Sequence, residues 1–236
     1  MEINDVSIEI GSRMYGSFKG IQNTPSHVLA EFVDNALQSY RDNAKRLHEL
    51  EPDYKLVVSI DAEWDESSDR AKTVTIKDNA GGIASNRYIN AFMPAKIPEN
   101  NQGLNEKGMG MKTAACWLGN TWLVKTAALG EIYERVLSFD LDTVVEQELT
   151  KVPVKQNLKN INDHYTEIFI SNPTDNFPTI RKISEIKEEL ASIYRRSLRS
   201  NELILQVCGV ELSFEDYEVL EAPFVKPPDA APIFWT

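Results

Sequence analysis

The feature that most constrains the fold is a long amphipathic segment that opens at Thr24. Thr24 can cap a helix, and Pro25 suits its first turn, where no backbone N–H is required. Val28, Leu29, Phe32, Val33, Ala36, Leu37 and Tyr40 then keep an apolar face running toward Leu47. Glu31, Asp34, Asn35 and Gln38, at spacings of three, four and seven, fall along one polar side of that helix. A polar stripe on a helix is ordinarily a solvated surface, so its chemical meaning depends on what else the chain carries.

Around this helix the chain has an α+β pattern. Alternation at Val6, Ile8 and Ile10 predicts a first short strand, and a glycine-containing connection leads from it to the helix. Residues 55–62 and 73–77 predict a hairpin across an acidic, serine-containing turn. A short helix over 85–92 precedes a stretch, 93–110, rich in Pro, Asn and Gly, the kind of long loop that serves as a lid or binding loop. Residues 111–118 resume helical character, and 121–128, 132–141 and 166–171 read as strands that complete a sheet. Ile183, Ile186, Leu190, Ile193 and Tyr194 mark another amphipathic helix, and 203–207 with 210–214 form a hairpin around Cys208 and Gly209. The expected division is one domain over 1–222 followed by a Pro-rich tail or linker over 223–236.

Composition removes several function classes. A 236-residue chain with 42% hydrophobic residues can bury a large core. Its formal net charge of −11 argues against direct nucleic-acid binding, because that affinity comes from neutralising phosphates with Lys and Arg. The two cysteines, Cys116 and Cys208, lie in apolar contexts without a C-x-x-C pair and read as small buried hydrophobes. The most apolar stretch, 114–129, is interrupted by Asn120 and Lys125 and falls short of the ~20 residues a membrane helix needs. No basic amino-terminal region leads into an apolar core, so the expectation is a soluble, cytoplasmic protein with no membrane role.

Two further clusters carry chemistry. Asp78, Asn79, Ala80, Gly81 and Gly82 take a carboxylate off the end of a strand into a glycine turn. Such a sequence is a good generic turn. It also suits a fixed Asp that accepts a hydrogen bond from an exocyclic amine while the glycines let a flat base approach the backbone. From Gly103 to Gly110 a glycine-rich stretch runs into the helix that holds Met111 and Lys112. Free N–H groups at a helix start bind phosphate and Lys112 adds a positive charge, although the spacing is not that of a Walker A loop.

The order and spacing of the three clusters together resemble the GHKL ATPase superfamily, which includes gyrase B, the ninety-kilodalton heat-shock chaperone, MutL, histidine kinases and MORC proteins. Glu31 to Ala36 is similar to its N box, Asp78 to Gly82 to its first glycine box, and Gly108-Met109-Gly110-Met111-Lys112 to its second. The likeness is closest to MORC-like and bacterial stand-alone members. Ala80 stands where many members have a glycine, and Tyr165 replaces the glycine usual before Thr166.

The resemblance implies a two-layer α/β sandwich, the Bergerat fold, with a mixed, mostly antiparallel sheet and helices on one face. It implies ATP and Mg²⁺ as ligands. Glu31 would be the general base and Asn35 the Mg²⁺ ligand, Asp34 would support the site, and Asp78 would read the adenine amine beside Gly82. Gly108, Met109, Gly110 and Met111 would offer backbone to the phosphates, Lys112 would contact the terminal phosphate, and Thr166 would join a water network. ATP hydrolysis would then serve as a conformational or dimerisation switch, with a nucleotide-dependent homodimer and further domains or partner proteins expected. Two alternatives stay open at this point: a histidine-kinase-type phosphotransferase, and a regulatory module that holds ATP or ADP without useful turnover.

Overall fold

The computed structural model describes residues 13–92 and 110–215. The strand expected at Val6 to Ile10, most of the loop over 93–110, and the Pro-rich tail lie outside the described residues. Helix α1 (Met14–Ser17) and a 3₁₀ turn precede α2 (Pro25–Leu50). The Thr24 side chain accepts the His27 N–H at 3.4 Å, and Pro25 occupies the first turn. Strands β1 (Leu56–Trp64) and β2 (Ala71–Asp78) follow as an antiparallel hairpin, then α3 (Ser85–Phe92) and α4 (Gly110–Leu118).

Beyond α4 the chain forms β3 (Thr121–Ala127), β4 (Tyr133–Asp140), α5 (Leu141–Glu146), β5 (Val154–Leu158) and β6 (Tyr165–Ile170). It closes with α6 (Ile183–Ile193), α7 (Arg195–Arg199), β7 (Leu203–Val207) and β8 (Val210–Glu211). The eight strands make one sheet in the order β5-β4-β3-β6-β2-β1-β7-β8, antiparallel throughout except for β1 against β7. This is the expected α+β sandwich with a mixed, mostly antiparallel sheet.

Period-two alternation decides which face the helices cover. Val58 and Ile60, Val74 and Ile76, Trp122 and Val124, Leu137 and Phe139, and Ile168 and Ile170 all point into one core. Helix α2 lies in that core through Leu29, Val33 and Leu37, and it packs against α4 and α6. Intervening positions on the other face mix ion pairs, Lys77 with Glu167 at 3.2 Å and Lys125 with Glu134 at 3.3 Å, with part-exposed apolar residues such as Leu123 and Phe169.

Three elements differ from the sequence expectation for physical reasons. The strand expected to reach Leu141 stops at Asp140, whose side chain accepts the Thr143 N–H at 2.8 Å and caps α5 instead. Strand β5 has no counterpart in the sequence reading, because all five of its residues are exposed on the sheet edge and no apolar alternation marks it. The last hairpin turns through Cys208 and Gly209, both at positive φ, but its return strand ends at Glu211 rather than at Phe214.

Candidate functional site

A cavity of about 600 Å³ lies between the helix layer and the end of the sheet, within the range of small-molecule sites. Helix α2 forms one wall, through Asn35, Gln38, Ser39, Asp42, Asn43 and Arg46. These continue the stripe that holds Asn35 and Gln38. The lining reaches eleven residues past Asn35, about 16 Å at the rise of an α-helix.

The floor is the end of the sheet. Asp78 on β2 pairs in register with Thr166 on β6, and Thr166 with Thr126 on β3, so three polar side chains stand in one cross-strand row. The Asp78 carboxylate accepts the Ala80 N–H at 2.9 Å. Burial pushes its pKa up to about 7, against the pull of the Ala80 and Thr166 backbone N–H groups. Thr126 is fully buried; its hydroxyl donates to the Tyr165 carbonyl at 3.0 Å, accepts the Ile83 N–H at 3.0 Å, and lies 3.3 Å from the Thr166 hydroxyl. Sequence reasoning missed Thr126, although a threonine at an inward position after Trp122 and Val124 is the signal that could have found it.

Gly81 and Gly82 form the side of the floor where backbone itself is exposed to the cavity. Gly82 has φ +69°, and a Cβ there would run into the Ala127 carbonyl; a Cβ on Gly81 would overlap the Asn43 side chain. Above them Ile76, Ile83, Ile168, Phe32 and Met111 supply apolar surface. A flat ring can therefore lie between aliphatic side chains with its edge toward Asp78.

At the other end stand the groups expected to meet phosphate. Gly110 begins α4 and, with Met111 and Lys112, lines the cavity. Glu31 does not line it. Its carboxylate packs against Gly110, where any side chain would displace it. Burial, with a smaller contribution from the nearby Asp34 charge, raises the Glu31 pKa. Asn35 donates its amide N–H to the Glu31 carbonyl at 2.6 Å, and its Oδ1 is the atom a cation would take as ligand. Lys112 is 2% exposed, donates to the Asn90 carbonyl near the end of α3 at 3.2 Å, and is pushed down to about 8 by burial.

Asp34 lies off the cavity. Its carboxylate accepts the Tyr194 hydroxyl at 2.8 Å, and that hydroxyl also contacts the Ala30 carbonyl at 2.9 Å, so the group ties α2 to the end of α6. Burial raises the Asp34 pKa against the opposing effects of Tyr194 and Arg41. Gly108 and Met109 lie outside the described residues. At the rim, Asp42 accepts from Arg87 of α3 at 2.6 Å and from Gln38 at 2.8 Å, a bridge between helices that no local pattern announces.

Among the described residues no group of three or more His, Cys, Asp or Glu side chains could hold a metal on its own. One amide oxygen at Asn35 fits a Mg²⁺ that takes most of its remaining ligands from phosphates and water. No helix among the described residues is long and apolar enough to cross a membrane.

A family model described as histidine kinase-, DNA gyrase B-, and HSP90-like ATPase matches residues 23–167. The match begins one residue before the cap of α2 and ends one residue past Thr166. A comparison with curated proteins finds no match.

Proposed function

The chain belongs to the histidine kinase-, DNA gyrase B- and HSP90-like ATPase family, whose general function is to bind ATP, and from that premise we propose that this cavity takes Mg²⁺-ATP, hydrolyses it to ADP and phosphate, and uses it as a conformational or dimerisation switch. The observation that carries the reading is Asp78, a carboxylate fixed at the floor of the cavity beside the backbone of Gly81 and Gly82. Held there, it accepts the adenine amino group while the ring edge meets the Gly81–Gly82 backbone, which the missing Cβ atoms let pack tightly against Asn43 and Ala127. The Thr166 hydroxyl, which lines the cavity beside Asp78 and is backed by the buried Thr126 hydroxyl, suits an ordered water between base and sheet.

The rest of ATP then extends toward the start of α4. Gly110 presents backbone there, Lys112 supplies a cation, and Asn35 Oδ1 would hold Mg²⁺. The bound ion would neutralise charge on the phosphates. Glu31 takes the proton of the attacking water, and its raised pKa brings it closer to the range of a useful base. A glutamate in this position activates water, which favours hydrolysis over transfer to a histidine. Because Gly110 opens α4 and α4 packs on α2, phosphate contact at that helix start reaches α2, which supports the switch reading.

The test is thermal unfolding with and without Mg²⁺-ATP. A ligand that binds only the folded state raises the melting temperature by mass action, so the parent protein shifts upward and Asp78→Asn loses most of the shift. An equal shift in Asp78→Asn would place the base elsewhere and remove this reading.

A further inference from the structure

The residues behind the Asp78 turn hold a device that the nucleotide site itself does not use. Asp78 is followed by Asn79 and Ala80, whose carbonyls face away from the cavity toward His164. The His164 Nδ1 lies 2.8 Å from the Asn79 carbonyl and 3.1 Å from the Ala80 carbonyl. Carbonyl oxygens only accept, so Nδ1 carries the hydrogen and this pair of partners fixes the tautomer. Tyr54, only 5% exposed, donates its hydroxyl to the same Asn79 carbonyl at 2.5 Å, which occupies both lone pairs of that oxygen.

The remaining atoms of Asn79 are fixed as well. Its side chain accepts the Val57 N–H at 2.8 Å and donates to the Lys55 carbonyl at 3.0 Å, which pins the turn to the start of β1. Tyr54 is in turn held by rings: Tyr40 stacks on it at 5.8 Å, and His48 and His164 meet it at 5.9 Å.

His164 is also joined to the other side of Asp78. Two residues on, Thr166 pairs with Asp78 in the β2–β6 ladder, where its backbone N–H draws the carboxylate pKa down. Residues 164–166 therefore hold the turn twice, through the carbonyls behind it and through the strand pair of Thr166 with Asp78 itself. A shift of His164 moves the backbone that aims Asp78, although His164 does not itself line the cavity.

We propose that His164, backed by Tyr54, is a positioning residue that aims Asp78 and so sets the preference for a base bearing an exocyclic amine over one bearing a carbonyl at the same edge. The proposal rests on the adenine reading of Asp78. A site built to accept a hydrogen bond discriminates strongly against a ligand that offers a second acceptor, provided the acceptor is held in place.

The experiment measures dissociation constants for ATP and GTP by competition against a fluorescent nucleotide, in the parent and four variants. Asp78→Asn separates the two ideas: if the parent does not prefer ATP, or if Asp78→Asn leaves the preference intact, the base reading itself fails. With that control passed, His164→Phe is expected to lower the ATP-over-GTP ratio about fivefold to tenfold, near the value of one misplaced hydrogen bond. His164→Asn, whose amide N–H can replace the Nδ1 donor, keeps the ratio within about twofold. A purely structural role would lower the melting temperature and leave the ratio unchanged. Tyr54→Phe removes a single hydroxyl without disturbing the ring stack, and it decides the matter if His164→Phe does not fold: a ratio reduced about twofold or more supports the proposal. Unchanged ratios in the folded variants overturn it.

Discussion

The two ends of the cavity are built on different principles. The floor is made by the sheet: Asp78, Thr166 and Thr126 stand in one row across three paired strands, and Asn79 and His164 hold the turn behind them. The α4 end is made by side chains on helices, with Glu31 against Gly110 and the Lys112 ammonium held by the last turn of α3. Backbone ladders hold the first in place, whereas the second depends on how the helices pack. The floor is suited to recognition, which needs fixed geometry, and the α4 end to chemistry on phosphate; each carries one buried group with a shifted pKa, Asp78 at the floor and Lys112 at the α4 end.

The largest effect expected from this contrast lies at the α4 end. In the proposed role, Glu31 acts on water and makes little ground-state contact with the nucleotide, and Glu31→Ala removes it. Phosphate release should fall by about 10²–10⁴-fold, with ATP affinity held within a few-fold. Coupled phosphate detection and a binding isotherm on the same preparation measure both. A variant that hydrolyses as fast as the parent would deny Glu31 the role of base and blur the distinction between the ends.

A second prediction sharpens the comparison through protons. Asp78 has its folded pKa raised from 3.8 to about 7, so without a ligand its ionised form is the costly one. A ligand amine that donates to the carboxylate favours that ionised form and displaces a proton. Adenosine, which engages only the floor, should therefore bind about tenfold more weakly for each pH unit below 7 and lose this dependence above it. The sign reverses at the other end. Lys112 is lowered from 10.5 to about 8, so above pH 8 a phosphate brought beside it should draw a proton in. Calorimetry in two buffers of different ionisation heat reads both: proton release with adenosine near pH 6.5, proton uptake with ATP near pH 8.5. Proton release of equal size for the two ligands at both pH values would mean that Lys112 does not meet phosphate.

The smallest effect concerns Asp34. Tyr194→Phe removes the hydroxyl that joins Asp34 and Ala30 to the end of α6. It should cost about 1 kcal/mol of stability, read as a small drop in melting temperature, and leave ATP affinity unchanged. A large loss of affinity would make Asp34 part of the site after all.

Much of this was legible in the sequence, and the exceptions have causes. The α2 helix, the β1–β2 hairpin and the Asp78 turn follow from a cap, an apolar period and two glycines, all local signals. Asp34 was grouped with Glu31 and Asn35 by spacing, yet at about 100° per residue it falls on the α6 side of the stripe, whereas Ser39, Asp42, Asn43 and Arg46 continue the cavity side. Lys112 could be placed on α4 but not at the carbonyl of Asn90, because that contact depends on how two helices meet. Thr126 and His164 belong to strand ends whose partners lie about 40 and 85 residues away, and only the sheet order brings them to Asp78.

That sheet order also dictates when the site can exist. The hairpins β1–β2 and β3–β4 close over short loops, but β6 must insert between β2 and β3 after both, and the parallel β7 joins β1 later still in the chain. Loop-closure entropy delays such distant pairings, so the row from Asp78 through Thr166 to Thr126 belongs to the late, non-local part of folding. A ribosome-bound chain that has not yet released β6 has no floor to its cavity, however well its first helix has formed. Nucleotide capture would therefore report that β6 has taken its place between β2 and β3.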